Sequence, residues 1–144
     1  MSRLTFSRTV KTQRGERGAA AVEFALVLPL LVVLVFGIVE FSIAYNHKQG
    51  LHAAAREGAR LAALPQSTES DVSDKVREAL DGVLNTTEIN AATITITPDK
   101  AHPCDGAAPG THVVVTVSAP DALDVPFVTN STVTLTGKGE FLCE

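Results

Sequence analysis

The side chains best suited to chemistry in this chain are four histidines, His47, His52, His102 and His112, two cysteines, Cys104 and Cys143, and 16 scattered carboxylates. The histidines show neither H-x-x-x-H nor H-E-x-x-H spacing. There is no G-x-S-x-G elbow and no glycine-rich phosphate loop. No nucleophile stands beside a base, and no pair of carboxylates is singled out by spacing. The reading is therefore of a protein without a catalytic centre and without a cofactor. Cys104 has His102 two residues away, but C-x-x-C spacing and a clear fourth ligand are both missing, so no metal site is expected. Asn85-Thr86-Thr87 and Asn130-Ser131-Thr132 fit the N-x-S/T pattern, which recurs by chance and carries little weight.

The most specific local feature is Arg17-Gly18-Ala19-Ala20-Ala21-Val22-Glu23-Phe24. A glycine ends a basic leader, small residues follow, and a carboxylate stands five residues beyond the glycine. This resembles the processing site of type IV prepilins, which a membrane aspartyl peptidase cuts after the glycine. The resemblance implies a cut after Gly18 that leaves Ala19 as the mature N-terminus. An acid at the centre of a membrane helix costs roughly 2.5–3.5 kcal/mol on insertion scales, so Glu23 needs a cationic partner. Processing would supply one, the α-amine of Ala19. Without processing, Glu23 would rest among headgroups beside Arg17.

These residues need an element to hold them. From Phe24 to Val39 no residue is charged, and apolar character runs from Ala19 to Tyr45 if Glu23 and Glu40 are tolerated. At 1.5 Å per residue the strict run spans roughly 24 Å and the wider one about 40 Å, against a hydrocarbon core of about 30 Å. Residues 1–18 hold five of the 12 basic residues and one of the 16 acids, a net +4, which leaves the remainder at −8. The positive-inside rule then puts the N-terminus in the cytoplasm and everything beyond about residue 46 outside. The acidic remainder offers no stripe to attract phosphates, so nucleic acid is not an expected partner. Pro29 predicts a kink or a local adjustment. With 144 residues in all, a large enzyme of separate cofactor and substrate domains is excluded.

The longer stretch RGAAAVEFALVLPLLVVLVFGIVEF, followed by AAAREGARLA at 53–62, resembles the TadE-like family, minor pilin-like proteins of Tad (Flp, tight adherence) pilus systems. The resemblance covers about residues 17–63. It implies that Gly18 is the cleavage glycine and Glu23 the glutamate of the processed helix. Ala19 and Phe24 complete that processing site. It further implies a minor pilin or pseudopilin that assembles or anchors thin adhesive pili. The implied partners are other pilin or pseudopilin subunits, a prepilin peptidase, the Tad pilus assembly machinery and membrane lipid. It gives no chemistry for positions 65–144.

Beyond the membrane the helical pattern continues to Leu64, where Pro65 supplies a stop. Within it Gly50, Ala54, Gly58 and Ala62 recur every four residues, a small stripe that lets another backbone approach, on a sheet or on a subunit. An alanine-rich helix chosen for propensity would look similar, but Gly50 and Gly58 lower propensity by ~1 kcal/mol each. Arg56, Glu57 and Arg60 could form a surface cluster, but the expectation is a solvated charged face, since exposed pairs contribute only about 0–1 kcal/mol. Residues 70–84 space Val72, Val76, Ala79, Leu80 and Val83 on one face of a second, short helix with acids in its first turn. Strand patterns then appear at 92–97, 112–118 and 131–137, the last extending to about 141. The segments 98–110 and 119–130 read as loops.

The predicted fold is α+β, with a long N-terminal transmembrane helix extending into a small pilin-like head built from a short second helix and an antiparallel sheet of about three strands. The divisions are 1–18 basic leader, 19–45 transmembrane helix, 46–64 extracytoplasmic extension and 65–144 head. Cys104 and Cys143 fall on the outer side, where an oxidising compartment favours a disulfide between them. Two other readings stay open. One is an uncleaved membrane-anchored binding module of a secretion or envelope system, using the loops 98–110 and 119–130. The other is a secreted protein released at Ser42-x-Ala44.

Overall fold

Between Ala19 and Ala62 only Pro29 withdraws a backbone donor, and the computed structural model has a single helix there, α1, from Arg14 to Ala62. The structure describes residues 14–98, 101–123 and 131–144. Its 49 residues make α1 about 74 Å long. Residues 1–13 of the leader lie outside the described residues, and helix passes through Pro29 without interruption. The end comes at Ala62, short of the Leu64 expected from Pro65, because Ser67 folds back under the last turn. Its buried hydroxyl meets the carbonyls of Leu61 and Leu64, the latter at 2.7 Å. Carbonyls that a helix end leaves unsatisfied are thereby partnered.

Helix α2, Glu69–Leu80, starts at the cap Thr68, whose hydroxyl accepts from the Asp71 amide while the Asp71 carboxylate accepts from the Thr68 amide at 3.0 Å. Val72, Val76 and Leu80 are buried, which is the apolar face that the 3.6-residue period marks. Hydrogen bonds from the Thr68 hydroxyl and amide hold the Asp71 carboxyl below its ordinary value. A depressed carboxylate contributes stability that is fully present above its unfolded-state pKa and lost as pH falls through the folded one. The full chain is therefore expected to be more stable than Asp71→Asn at neutral pH, with the gap in thermal midpoint closing as the pH is taken into the acid range. An unchanging gap would show that the carboxylate is idle. Thr68→Ala should cost about 1 kcal/mol at neutral pH.

A third helix, α3 at Thr86–Ala91, is absent from the sequence reading. The cause is a second capping box, with the Asn85 side chain on the Glu88 amide and the Glu88 carboxylate on the Asn85 amide, both 3.0 Å. Asn85 thus has a local role inside a pattern that otherwise reads as a glycan acceptor.

Strands β1 (Thr93–Thr97), β2 (His112–Leu123) and β3 (Ser131–Leu142) form an antiparallel meander in that order. One expectation fails here: residues 119–123 belong to β2 and not to a loop, while 124–130 lie outside the described residues. Pro120 does not stop β2, because β1 pairs with it only as far as Ser118. Beyond that point the far side of β2 has no strand partner among the described residues, and proline is tolerated on such an edge.

Along β2 the residues Val113, Val115, Val117, Ala119 and Asp121 alternate inward and are buried. They meet Leu51, Ala54, Ala55, Ala59 and Ala62 of α1 and the apolar face of α2. The two helices cover one face of the sheet. The other is lined by Thr93, Thr95, Thr134 and Thr136 and lies open, an alternation normal for an antiparallel sheet with one solvated side. On β3 the inward positions opposite Val117 and Val115 are Gly137 and Gly139. Having no side chains, they let the backbone of α1 rest on the strand at Leu51–His52 and Ala55–Arg56.

Candidate functional site

Gly18, Ala19, Glu23 and Phe24 stand on the free N-terminal arm of α1, all of them exposed, and a Cβ added at Gly18 would touch nothing within 4 Å. Ala19 and Glu23 are four residues apart on the helix and share a face, so an amine at residue 19 lies within reach of the Glu23 carboxylate. From Val22 to Tyr45 the large apolar side chains are exposed as well, all but the half-buried Val32 and Val33, with Leu26 exposed by 75% and Phe41 by 72%. Water is an untenable surrounding for a continuous apolar surface of this size. The helix is long and apolar enough to span a membrane, and nothing in its apolar window is buried by the rest of the chain.

The small stripe lies farther along α1. Ala54 and Ala62 are fully buried. Gly50 faces Val83, and Gly58 faces Val76, with Val115 3.4 Å from where its Cβ would be. The stripe is thus taken up within the chain, at Gly58 by Val76 of α2 and at Gly50 by Val83 just beyond it. Arg56, Glu57 and Arg60 do not form the cluster considered from sequence: each is exposed, and among the described residues none of them takes part in an ion pair. With Leu61, Leu64, Lys75, Phe141 and Glu144, Glu57 and Arg60 border an open cleft of about 400 Å³ at the far end of the head.

Cys104 and Cys143 are joined in a disulfide, with Cα atoms 5.4 Å apart. That removes the thiolate a metal at His102 would need, and His102 instead directs Nδ1 to the Ser67 carbonyl at 3.2 Å. Among the described residues no three histidine, cysteine or acidic side chains gather into a metal-holding group.

Sequence reasoning missed one part-buried polar pair. His47 Nδ1 lies 3.1 Å from Asp121 Oδ1, with side-chain exposures of 17% and 6%. Oδ2 of Asp121 has no hydrogen-bond partner among the described residues. The pair ties the Asp121 end of β2 to α1 just past Tyr45. The readable signal was the alternation of β2, which carried to Asp121 puts an acid on the inward face, where it requires a partner.

Residues 18–60 match the family model described as TadE-like protein. Over that stretch the chain is similar to TadE-like proteins. The matched stretch holds the Gly18–Glu23 junction, the apolar helix and three of the four stripe positions, Gly50, Ala54 and Gly58, and it ends before α2. No curated protein and no solved structure matches the chain.

Proposed function

We propose that this chain is a minor pilin, or pseudopilin, of a Tad/Flp tight-adherence pilus, processed after Gly18 and acting in pilus assembly, anchoring and adhesion. The observation that carries the reading is a basic leader running directly into a TadE-like segment that holds Gly18, Glu23 and an apolar helix left uncovered by the described residues of the head. The N-terminus faces the cytoplasm and the head the outside, by the excess of positive charge before the helix. A prepilin peptidase removes the leader on the cytoplasmic side, and the helix passes to other pilin or pseudopilin subunits and to the Tad assembly machinery. Cleavage gives Glu23 a cation on its own helix, and a neighbouring chain packed with a small axial offset could offer its amine instead. The contribution of the chain is structural, with no catalytic step.

A second reading, an uncleaved anchor for an extracytoplasmic binding module, is favoured by one observation. Arg14–Gly18 is helical and in line with the apolar segment, so the bond after Gly18 lies within a helix that a peptidase would first have to unwind.

The deciding measurement is the mass and N-terminal residue of the chain recovered from membranes and from sheared surface material of its native host. The expected product begins at Ala19, and Gly18→Leu should abolish it, because a branched side chain obstructs access to the scissile bond. A chain beginning at Met1 would support the plain anchor, and one beginning at Tyr45 a secreted domain. An unchanged mature mass in Gly18→Leu would refute processing at this glycine.

A further inference from the structure

On α1 the positions two residues either side of Gly50 are Lys48 and His52, and those either side of Gly58 are Arg56 and Arg60. At about 100° per residue, a position two residues away projects roughly 160° from its reference. Because Gly50 and Gly58 face Val83 and Val76, these four side chains point away from α2, His52 with its Nδ1 accepting from the backbone N–H of Lys138 at 3.2 Å. Lys48, Arg56 and Arg60 are exposed, and none has an ion-pair partner among the described residues. Tyr45, Lys48, Gln49, His52 and Arg56 border a shallow depression of about 320 Å³.

The same geometry holds with the opposite sign on α2. Asp74 and Glu78 flank Val76, which is buried toward α1, so they project outward, with Asp71 and Asp81 on the same exposed side. Of these four, only Glu78 has a cation within ion-pair distance among the described residues, Lys75 at 3.0 Å. Since Val83 lies at Gly50 and Val76 at Gly58, α2 runs antiparallel beside α1, and its acids stand level with the basic stripe.

We infer that the Lys48/His52/Arg56/Arg60 stripe docks on the outward acidic face of α2 of a second copy standing beside it, joining copies head to tail in a row or ring. The inference rests on the proposed reading of α1 as a membrane-spanning helix. Two anchored copies stand parallel in one membrane, and with both faces at one height they meet without an axial shift. The faces are on opposite sides of the head, so the contact is heterologous and leaves each copy with one face free for the next. Exposed ion pairs are individually weak. Several acting together on chains already concentrated in one membrane are the situation in which complementary charge selects a partner.

The test uses the full chain reconstituted in phosphatidylcholine vesicles, with Arg56→Cys and Asp74→Cys placed together in one chain and a short bis-maleimide added. The expected result is a ladder of cross-linked species, absent when either cysteine is present alone. Lys48→Glu with Arg60→Glu should reduce the ladder roughly tenfold, since like charges then face each other, and adding Glu78→Lys with Asp81→Lys should restore it. High salt should weaken the native ladder in the same way. A dimer formed by Arg56→Cys alone, or a ladder indifferent to charge reversal, would overturn the inference. So would a ladder lost when phosphatidylglycerol is included, which would assign the stripe to lipid phosphates. Alkaline extraction of the same vesicles separates the two levels. A retained chain without a ladder overturns the docking alone, and a released chain overturns the membrane reading with it.

Discussion

Gly139→Val is expected to unseat α1 from the sheet, and Gly137→Val to do the same one turn of the helix away. A Cβ at Gly139 would stand 2.6 Å from the Arg56 amide nitrogen and closer still to the Ala55 carbonyl, and one at Gly137 would stand 2.5 Å from the His52 amide nitrogen. Real Cβ contacts do not come that near. The obstacle is helix backbone, which has no rotamer to change, so α1 must lift away from β3. Lifting it exposes Leu51, Ala55 and Ala59 on one side and Val115 and Val117 on the other, all of them buried in the native head. Overpacking against mobile side chains costs about 1–3 kcal/mol, and a collision with backbone belongs at or above the top of that range. A head of this size has only about 5–10 kcal/mol of stability to lose. Lys138→Ala, between the two glycines and facing solvent, is the control and should stay within about 0.5 kcal/mol of the native chain. Urea unfolding of the full chain in detergent micelles, followed by far-UV circular dichroism, gives all three values. A Gly139→Val chain within about 1 kcal/mol of native would mean that α1 is not seated on β3 as described.

That contact explains which parts of the fold were legible in the sequence. The long helix, the second helix and the three strands each carry their own periodicity, in Phe24–Val39, in Val72/Val76/Leu80 and in the β-branched alternation of β2. The seam between α1 and the sheet carries none, because it is made by side chains that are absent: Gly137 and Gly139 on the strand against Leu51 and Ala55 on the helix. Two glycines at alternate strand positions are a signal for close backbone approach, and it becomes specific only once the strand is known to pass under a helix. The extension of β2 through Pro120 was hidden for a related reason. Proline ends a strand flanked on both sides, and the sequence does not reveal that the pairing of β1 with β2 ends at Ser118.

The candidate site divides in the same manner. The junction at Gly18 and Glu23 is legible because its elements lie within six residues of one another and need no tertiary fold. The pair His47 and Asp121 is separated by 74 positions, and nothing local to either residue points to the other. The stripe Gly50, Ala54, Gly58 and Ala62 was legible as a place of close packing, while its partner was not. Val83 and Val76 occupy it from within the chain, and this is what turns the basic residues beside Gly50 and Gly58 outward.

Removing the disulfide should have the second large effect. Cys104 and Cys143 are 39 positions apart, and closing a loop of that length restricts the unfolded chain by about 4 kcal/mol on the chain-entropy model. The loop includes the whole β2–β3 hairpin. Without the bond, the segment around Cys104 is still held to the start of α2, by Glu69 donating to the Ala101 carbonyl at 3.1 Å and by His102 on the Ser67 carbonyl. The C-terminus is still held by Cys143 donating to Thr111 at 2.9 Å and Glu144 to Ala63 at 3.2 Å. These bonds preserve the native geometry but do not limit the unfolded ensemble. The head of Cys104→Ala/Cys143→Ala should therefore form, with stability about 3–4 kcal/mol lower. Reductant should shift the denaturation midpoint of the native chain by the same amount and leave the variant unmoved, which separates loss of the bond from any effect of the two alanines on packing. A native midpoint indifferent to reductant would show that the bond contributes nothing. The same measurement bears on topology, because a head that depends on a disulfide for this share of its stability is secure only in an oxidising compartment. On the orientation proposed above, the C-terminal end of α1 leads into such a compartment.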